Sequence, residues 1–260
     1  MEFLPNRSIL NLSQTCRALA NYRTDNQVLQ IILNNRRAEL EDVVFGKKAW
    51  NTYFGDVGEV DSIPEELVRA LEEPCPFTQG KRVKETHIVC WIPEKINGTC
   101  LSIKSLKQLV TKPLQGNASE IRRIQWPSKE ERSSVTITRG HWILVTKTIL
   151  KDSENQSYDE QKKRLESYHD YQMPSVLSFS VALFTHYART GELFYGLHPS
   201  IYTRCQENAD GLAVCAGAFG TIGLCILSNI SNQVTLDDDG VPLHLKFLIG
   251  MGAVREFYTE

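Results

Sequence analysis

An α+β fold is predicted, with a short N-terminal helical pair followed by a mostly antiparallel sheet with helices on one side. Three observations predict it. Residues 8–33 carry apolar positions at three- and four-residue spacing, the period of amphipathic helices. Short β-branched and aromatic runs, separated by turn residues, fill the rest and dominate the last third, as antiparallel strands do. At 260 residues and 42% hydrophobic, the chain is long enough for a small module and one sizeable core. The expected division is 1–42 and 43–260.

In the first segment, Ile9, Leu12, Cys16 and Leu19 form one stripe from Ser8 to Tyr22. Thr24 or Asp25 then caps a second helix bearing Val28, Leu29, Ile31, Ile32 and Leu33. Two short helices cannot bury both stripes between themselves, so they must pack on something else. From Phe45 to Pro64 there is no clear period, but Trp50, Tyr53 and Phe54 anchor the segment to the larger domain. Pro64 opens a short helix through Leu71, with Glu65 and Glu66 complementing its dipole.

Val83–Pro93 reads as a strand and Asn97-Gly98 as a hairpin turn. A helix carrying Leu106, Leu109 and Val110 starts at Ser102 or Ser105. Residues 115–132 read as a polar loop. The strongest strand signal is VTITRGHWILVTKTIL, split at Arg139-Gly140. Residues 157–171 are charged and helical. Pro174–Arg189 is a largely buried helix stopped by Gly191. Strands are expected at 201–206, 212–217, 223–227 and 243–249, with Asp237-Asp238-Asp239-Gly240 as an acidic turn.

Composition and spacing argue against several function classes. With 29 basic and 31 acidic residues the net charge is −2, and no basic stripe for nucleic acid is visible. Arg122-Arg123 and 162–164 read as solvated surface. The apolar run 212–230 is interrupted by glycines and fits a hairpin better than a membrane span. The seven cysteines contain no C-x-x-C pair, and reduced thiols in a cytoplasmic protein fit them. His87 with Cys75, and His169 with His186, match no tetrahedral zinc spacing. Neither a metal nor a cofactor is expected. Gly217, Gly220 and Gly223 belong to a hairpin, since a phosphate loop would open a helix.

The segment FLPNRSILNLSQTCRALANYRTDNQVLQIIL resembles the second half of an F-box. The matching positions are Leu10, Leu12, Ser13, Thr15, Cys16, Arg17, Leu19, Asp25 and Leu29. The family's opening helix has no counterpart ahead of them, so an N-terminally incomplete F-box is expected. The resemblance implies docking of a Skp-type adaptor of a cullin–RING ubiquitin ligase through Leu10, Leu12, Cys16, Leu19 and Leu29. The following α+β domain would then present an unknown protein client. Further on, KKAWNTYFGDVG, PCPF, GKRVKETHIVCWIP, GHWILVTK and IYTRCQE resemble the C-terminal domains of F-box-like proteins of amoeba-associated chlamydial bacteria. That resemblance implies a bacterial effector acting in a host cytosol. It carries no activity.

A second reading starts from His141-Trp142 at the head of a β run. It resembles the histidine strand of Ulp-type cysteine peptidases. The resemblance implies a deubiquitinase-like hydrolase with His141 as general base, Cys215 as nucleophile and Gln206 as oxyanion partner. Cys215 stands in Ala-Val-Cys-Ala-Gly, where that family has Asp-Cys-Gly, and an apolar strand does not lower a thiol pKa. An interaction protein is therefore the first expectation and the peptidase the alternative.

Overall fold

The computed structural model describes residues 40, 44–126, 135–154, 156–209, 211–228 and 247–258. The chain divides into two compact units, 1–41 and 42–260. The predicted helical pair, with Leu10, Leu12, Cys16, Leu19 and Leu29, lies outside the described residues, as does the acidic turn at 237–240.

The second unit has an α+β architecture. In chain order its elements are α1 (Lys47–Tyr53), α2 (Glu65–Glu72), the single turn α3 (Val83–Thr86), β1 (His87–Ile92), β2 (Lys95–Ile96), β3 (Thr99–Cys100), α4 (Ile103–Thr111), β4 (Ile121–Gln125), β5 (His141–Thr146), α5 (Tyr158–Glu166), α6 (Val176–Thr190), β6 (Ser200–Ala209), β7 (Leu212–Gly220), β8 (Gly223–Ser228), β9 (Phe247–Gly250) and β10 (Val254–Phe257). Among the described residues the strands form an antiparallel sheet β1-β5-β10, the hairpin β2-β3, and a mixed sheet β4-β8-β7-β6-β9. In the mixed sheet β4–β8 and β6–β9 are parallel, while β8–β7 and β7–β6 are antiparallel. No helix of the described residues is long and apolar enough to cross a membrane.

Helix α6 is the centre of the fold. Twelve of its 15 residues are buried, so it presents core-facing surface all round rather than along one stripe. It packs against β1 of one sheet and against β6 and β7 of the other. The predicted one-sided arrangement therefore becomes two sheets sharing one helix. Ser175 Oγ accepts from Ser178 N–H at 3.1 Å, the Glu207 carboxylate accepts from Val176 N–H at 2.9 Å, and Gly191 ends the helix at φ 74°. Its buried hydroxyls bond back into the helix, Ser180 to the Val176 carbonyl and Thr185 to that of Ala182.

Strand β5 is buried along its whole length because it is the central strand of its sheet, which explains its continuous apolar run. The chain passes from the mixed sheet to the antiparallel sheet through Met251–Ala253. This crossing is buried, and each of its N–H groups donates to a buried hydroxyl. Met251 bonds Ser153 Oγ at 3.0 Å, Gly252 bonds Thr203 Oγ1 at 2.6 Å and Ala253 bonds Thr146 Oγ1 at 3.1 Å. These bonds satisfy donors that no ladder reaches.

Several local predictions shift. Val83–Thr86 is a helical turn rather than strand, because Glu85 Oε2 accepts from Arg82 N–H at 2.8 Å and closes it before β1 begins. The segment without a clear period contains α1. Of 135–150, only His141–Thr146 is strand, with Thr136 bridging back to Ser102. The expected polar loop contains β4, and β10 appears where no strand was expected. The Asn97-Gly98 turn forms as predicted, both residues at positive φ.

Candidate functional site: a basic groove between α4 and β4

The residues of the peptidase reading are not brought together. His141 lies in β5 of the antiparallel sheet, opposite Ile92, whereas Cys215 lies in β7 of the mixed sheet, opposite Arg204 and Leu227. The His141 Nδ1–H donates to the Arg139 carbonyl at 2.9 Å, the ring stacks on Tyr258 and Nε2 stands 3.9 Å from Glu256 Oε1. Cys215 is packed with Tyr202, Ala218, Cys225 and Ile249. Burial pushes its thiol up to about 12, against an opposing pull from Arg204. Cys205 is raised well above the usual thiol range, also by burial. A nucleophilic cysteine needs the opposite shift. Gln206 uses its side-chain amide to donate to the Met173 carbonyl at 2.7 Å. Among the described residues no group of three or more His, Cys, Asp or Glu is arranged to hold a metal.

An open groove lies elsewhere. Helix α4 starts at Ser102, whose Oγ accepts from Ser105 N–H while Ser105 Oγ accepts from Ser102 N–H. Ile103, Leu106 and Val110 face the core. That leaves Lys104, Lys107, Gln108 and Thr111, at i, i+3, i+4 and i+7, on an exposed stripe. This stripe, with Lys112, lines an open groove of about 1080 Å³ whose lining includes Ile124 of β4. Ser119 N–H bonds the Val110 carbonyl at 2.9 Å, tying the start of β4 to the end of α4.

Among the described residues β4 is the edge of the mixed sheet, paired only with β8. A register shift between Ile121 and Arg123 breaks the strand's alternation, so Arg122 and Arg123 are both exposed. Gly223, at φ 108°, lets β8 approach the start of β4, and Leu224 N–H bonds the Glu120 carbonyl at 2.9 Å. Ser228 Oγ donates to the Gln125 carbonyl at 2.9 Å and fixes the far end. Lys104, Lys107, Lys112, Arg122 and Arg123 make no ion pair with any acid among the described residues. Of these five, Lys104, Lys107 and Lys112 line the groove.

One buried titratable group stands apart from the groove. His87 is packed with Phe77 and Tyr171, and its Nδ1–H donates to the Val83 carbonyl at 3.2 Å. Burial lowers its pKa to about 4; the Val83 bond opposes this and Lys147 reinforces it. The folded state therefore favours the neutral ring. Stability from this group is complete above about pH 6.5, where the unfolded ring is also neutral, and falls as pH drops toward 4, by roughly 3 kcal/mol in all. His186 is shifted in the same direction by burial, so an NMR titration of the His87 ring isolates the effect. The expected midpoint is near 4, and a midpoint near 6.5 contradicts the buried placement.

No protein-family model, curated protein or solved structure matches this chain.

Proposed function

We propose that the chain is an F-box-like interaction protein. Its first ~42 residues dock a Skp-type adaptor of a cullin–RING ubiquitin ligase, and the α+β domain holds a protein client for ubiquitination. The observation that carries this reading is the run Leu12-Ser13-Gln14-Thr15-Cys16-Arg17-Ala18-Leu19 followed by Asp25 and Leu29. On this reading Leu10, Leu12, Cys16, Leu19 and Leu29 are the adaptor contacts. The protein works in the cytosol, that of a host cell if the likeness to chlamydial effectors extends to its role. The open groove along α4 supports a domain that holds a partner, while the raised thiol of Cys215 lends no support to the peptidase alternative.

Calorimetric titration of the purified chain with a Skp-type adaptor tests the proposal. Saturable binding is expected. Leu12→Asp should weaken it more than about a hundredfold, because an unpaired carboxylate buried in an apolar interface costs about 3 kcal/mol or more. An adaptor that gives no heat with the unmodified chain, or that binds Leu12→Asp equally well, refutes it.

A further inference from the structure

The groove between α4 and β4 has two unlike walls, and each calls for a different feature in an occupant. One wall carries Ile124 of β4, which among the described residues is the edge strand of the mixed sheet. An edge strand offers unpaired N–H and C=O groups, which match the backbone of another extended chain. The other wall is the stripe Lys104, Lys107, Gln108 and Thr111 with Lys112, whose lysines have no acidic partner among the described residues. In a chain of net charge −2 this cation density is local, and it calls for carboxylates.

We propose that this groove docks an extended acidic segment of a client protein, which adds a strand to the edge of β4 and sets carboxylates against Lys104, Lys107 and Lys112. The proposal rests on the client-binding reading of this domain and names the chemistry of the client. Dimensions set the occupant's length. Five residues of β4 span about 16 Å and nine residues of α4 about 13 Å, so roughly five residues of peptide fill the groove. Side chains alternate along a strand. Acids at every second position therefore face the lysines while the intervening residues point away. A nucleic acid fits less well. No aromatic side chain among the described residues lines the groove for base stacking, and a phosphodiester backbone cannot continue a β ladder.

Fluorescence anisotropy on the whole chain at physiological ionic strength is the test. The probe is a labelled heptapeptide of alternating glutamate and valine. Saturable binding is expected. N-methylation of alternate peptide amides should weaken it at least about tenfold, since it removes ladder donors. The double change Lys104→Glu, Lys107→Glu should do the same and flatten the salt dependence. Both lysines are exposed, and circular dichroism checks that the variant folds. The milder Lys104→Ala, Lys107→Ala pair should give an intermediate loss. Absence of saturable binding overturns the proposal. So does equal binding of the N-methylated peptide, or tighter binding of an oligothymidine of similar length. Adaptor titration on the same preparation separates the two readings. Adaptor binding without peptide binding overturns the groove alone, and peptide binding without adaptor binding overturns the F-box reading alone.

Discussion

Replacing Trp50 by alanine is expected to destabilise the α+β domain by about 4 kcal/mol, close to the upper range for a large-to-small core change. Helix α1 has only seven residues, and Trp50 is its one buried side chain. The indole is fully buried. It meets Phe45 edge-on at 5.3 Å and Phe54 at 5.4 Å, and Nε1–H donates to the Trp91 carbonyl at 2.9 Å. Truncation loses the aromatic area, opens a cavity and strands a buried carbonyl. Phe45 also bonds β1 on both sides, accepting from Trp91 N–H and donating to the Val89 carbonyl, so the damage reaches the antiparallel sheet. Trp50→Phe keeps most of the ring but not the hydrogen bond, and should cost about 1–2 kcal/mol. Urea unfolding followed by far-UV circular dichroism measures both. A loss below about 1 kcal/mol for the alanine variant would mean that α1 is an appendage rather than part of the core.

The second large effect is expected at Gly223. Its φ of 108° disfavours any L side chain, and a Cβ there would sit 2.2 Å from the Glu120 carbonyl oxygen. Because the obstacle is backbone, Gly223→Ala must either strain the hairpin or push β4 away from β8. A cost of about 3 kcal/mol follows. Gly211 provides the control. Its φ is 81° and nothing lies within 4 Å of its would-be Cβ, so Gly211→Ala carries backbone strain alone, about 1 kcal/mol. Thermal melts should rank the two variants in that order. Amide exchange in 121–125 should accelerate in the Gly223 variant only, and peptide binding at the groove should fall with it.

What the sequence made legible follows from how local each signal is. Helix α6 was readable because Pro174 and Gly191 bracket an apolar stretch, and the β2–β3 turn because Asn97-Gly98 matches the positive φ that its turn requires. Strand β5 stood out through its uninterrupted apolar run. Strand β4 did not, since its register shift places Ile121 and Ile124 three apart and hides the period of two. Helix α1 was missed because a single buried indole gives no period at all. The groove was illegible for a different reason. Lys104, Lys107 and Lys112 come from α4 and its C-terminal end and Ile124 from a strand that follows, and only the folded chain brings them to one groove. His141 and Cys215 show the converse, since residues that looked compatible along the chain lie in separate sheets.

The crossing at Met251–Ala253 has a consequence for how the domain comes apart. Ser153, Thr203 and Thr146 are drawn from three separate stretches of chain, and each satisfies one amide of the same three-residue segment. Separating the sheets would leave three amide donors without partners in the interior, about 3 kcal/mol or more of desolvation at once. The two sheets are therefore expected to exchange as one cooperative unit. Opening of the β4 edge at one end of the mixed sheet stays a local event, carried by its few bonds to β8.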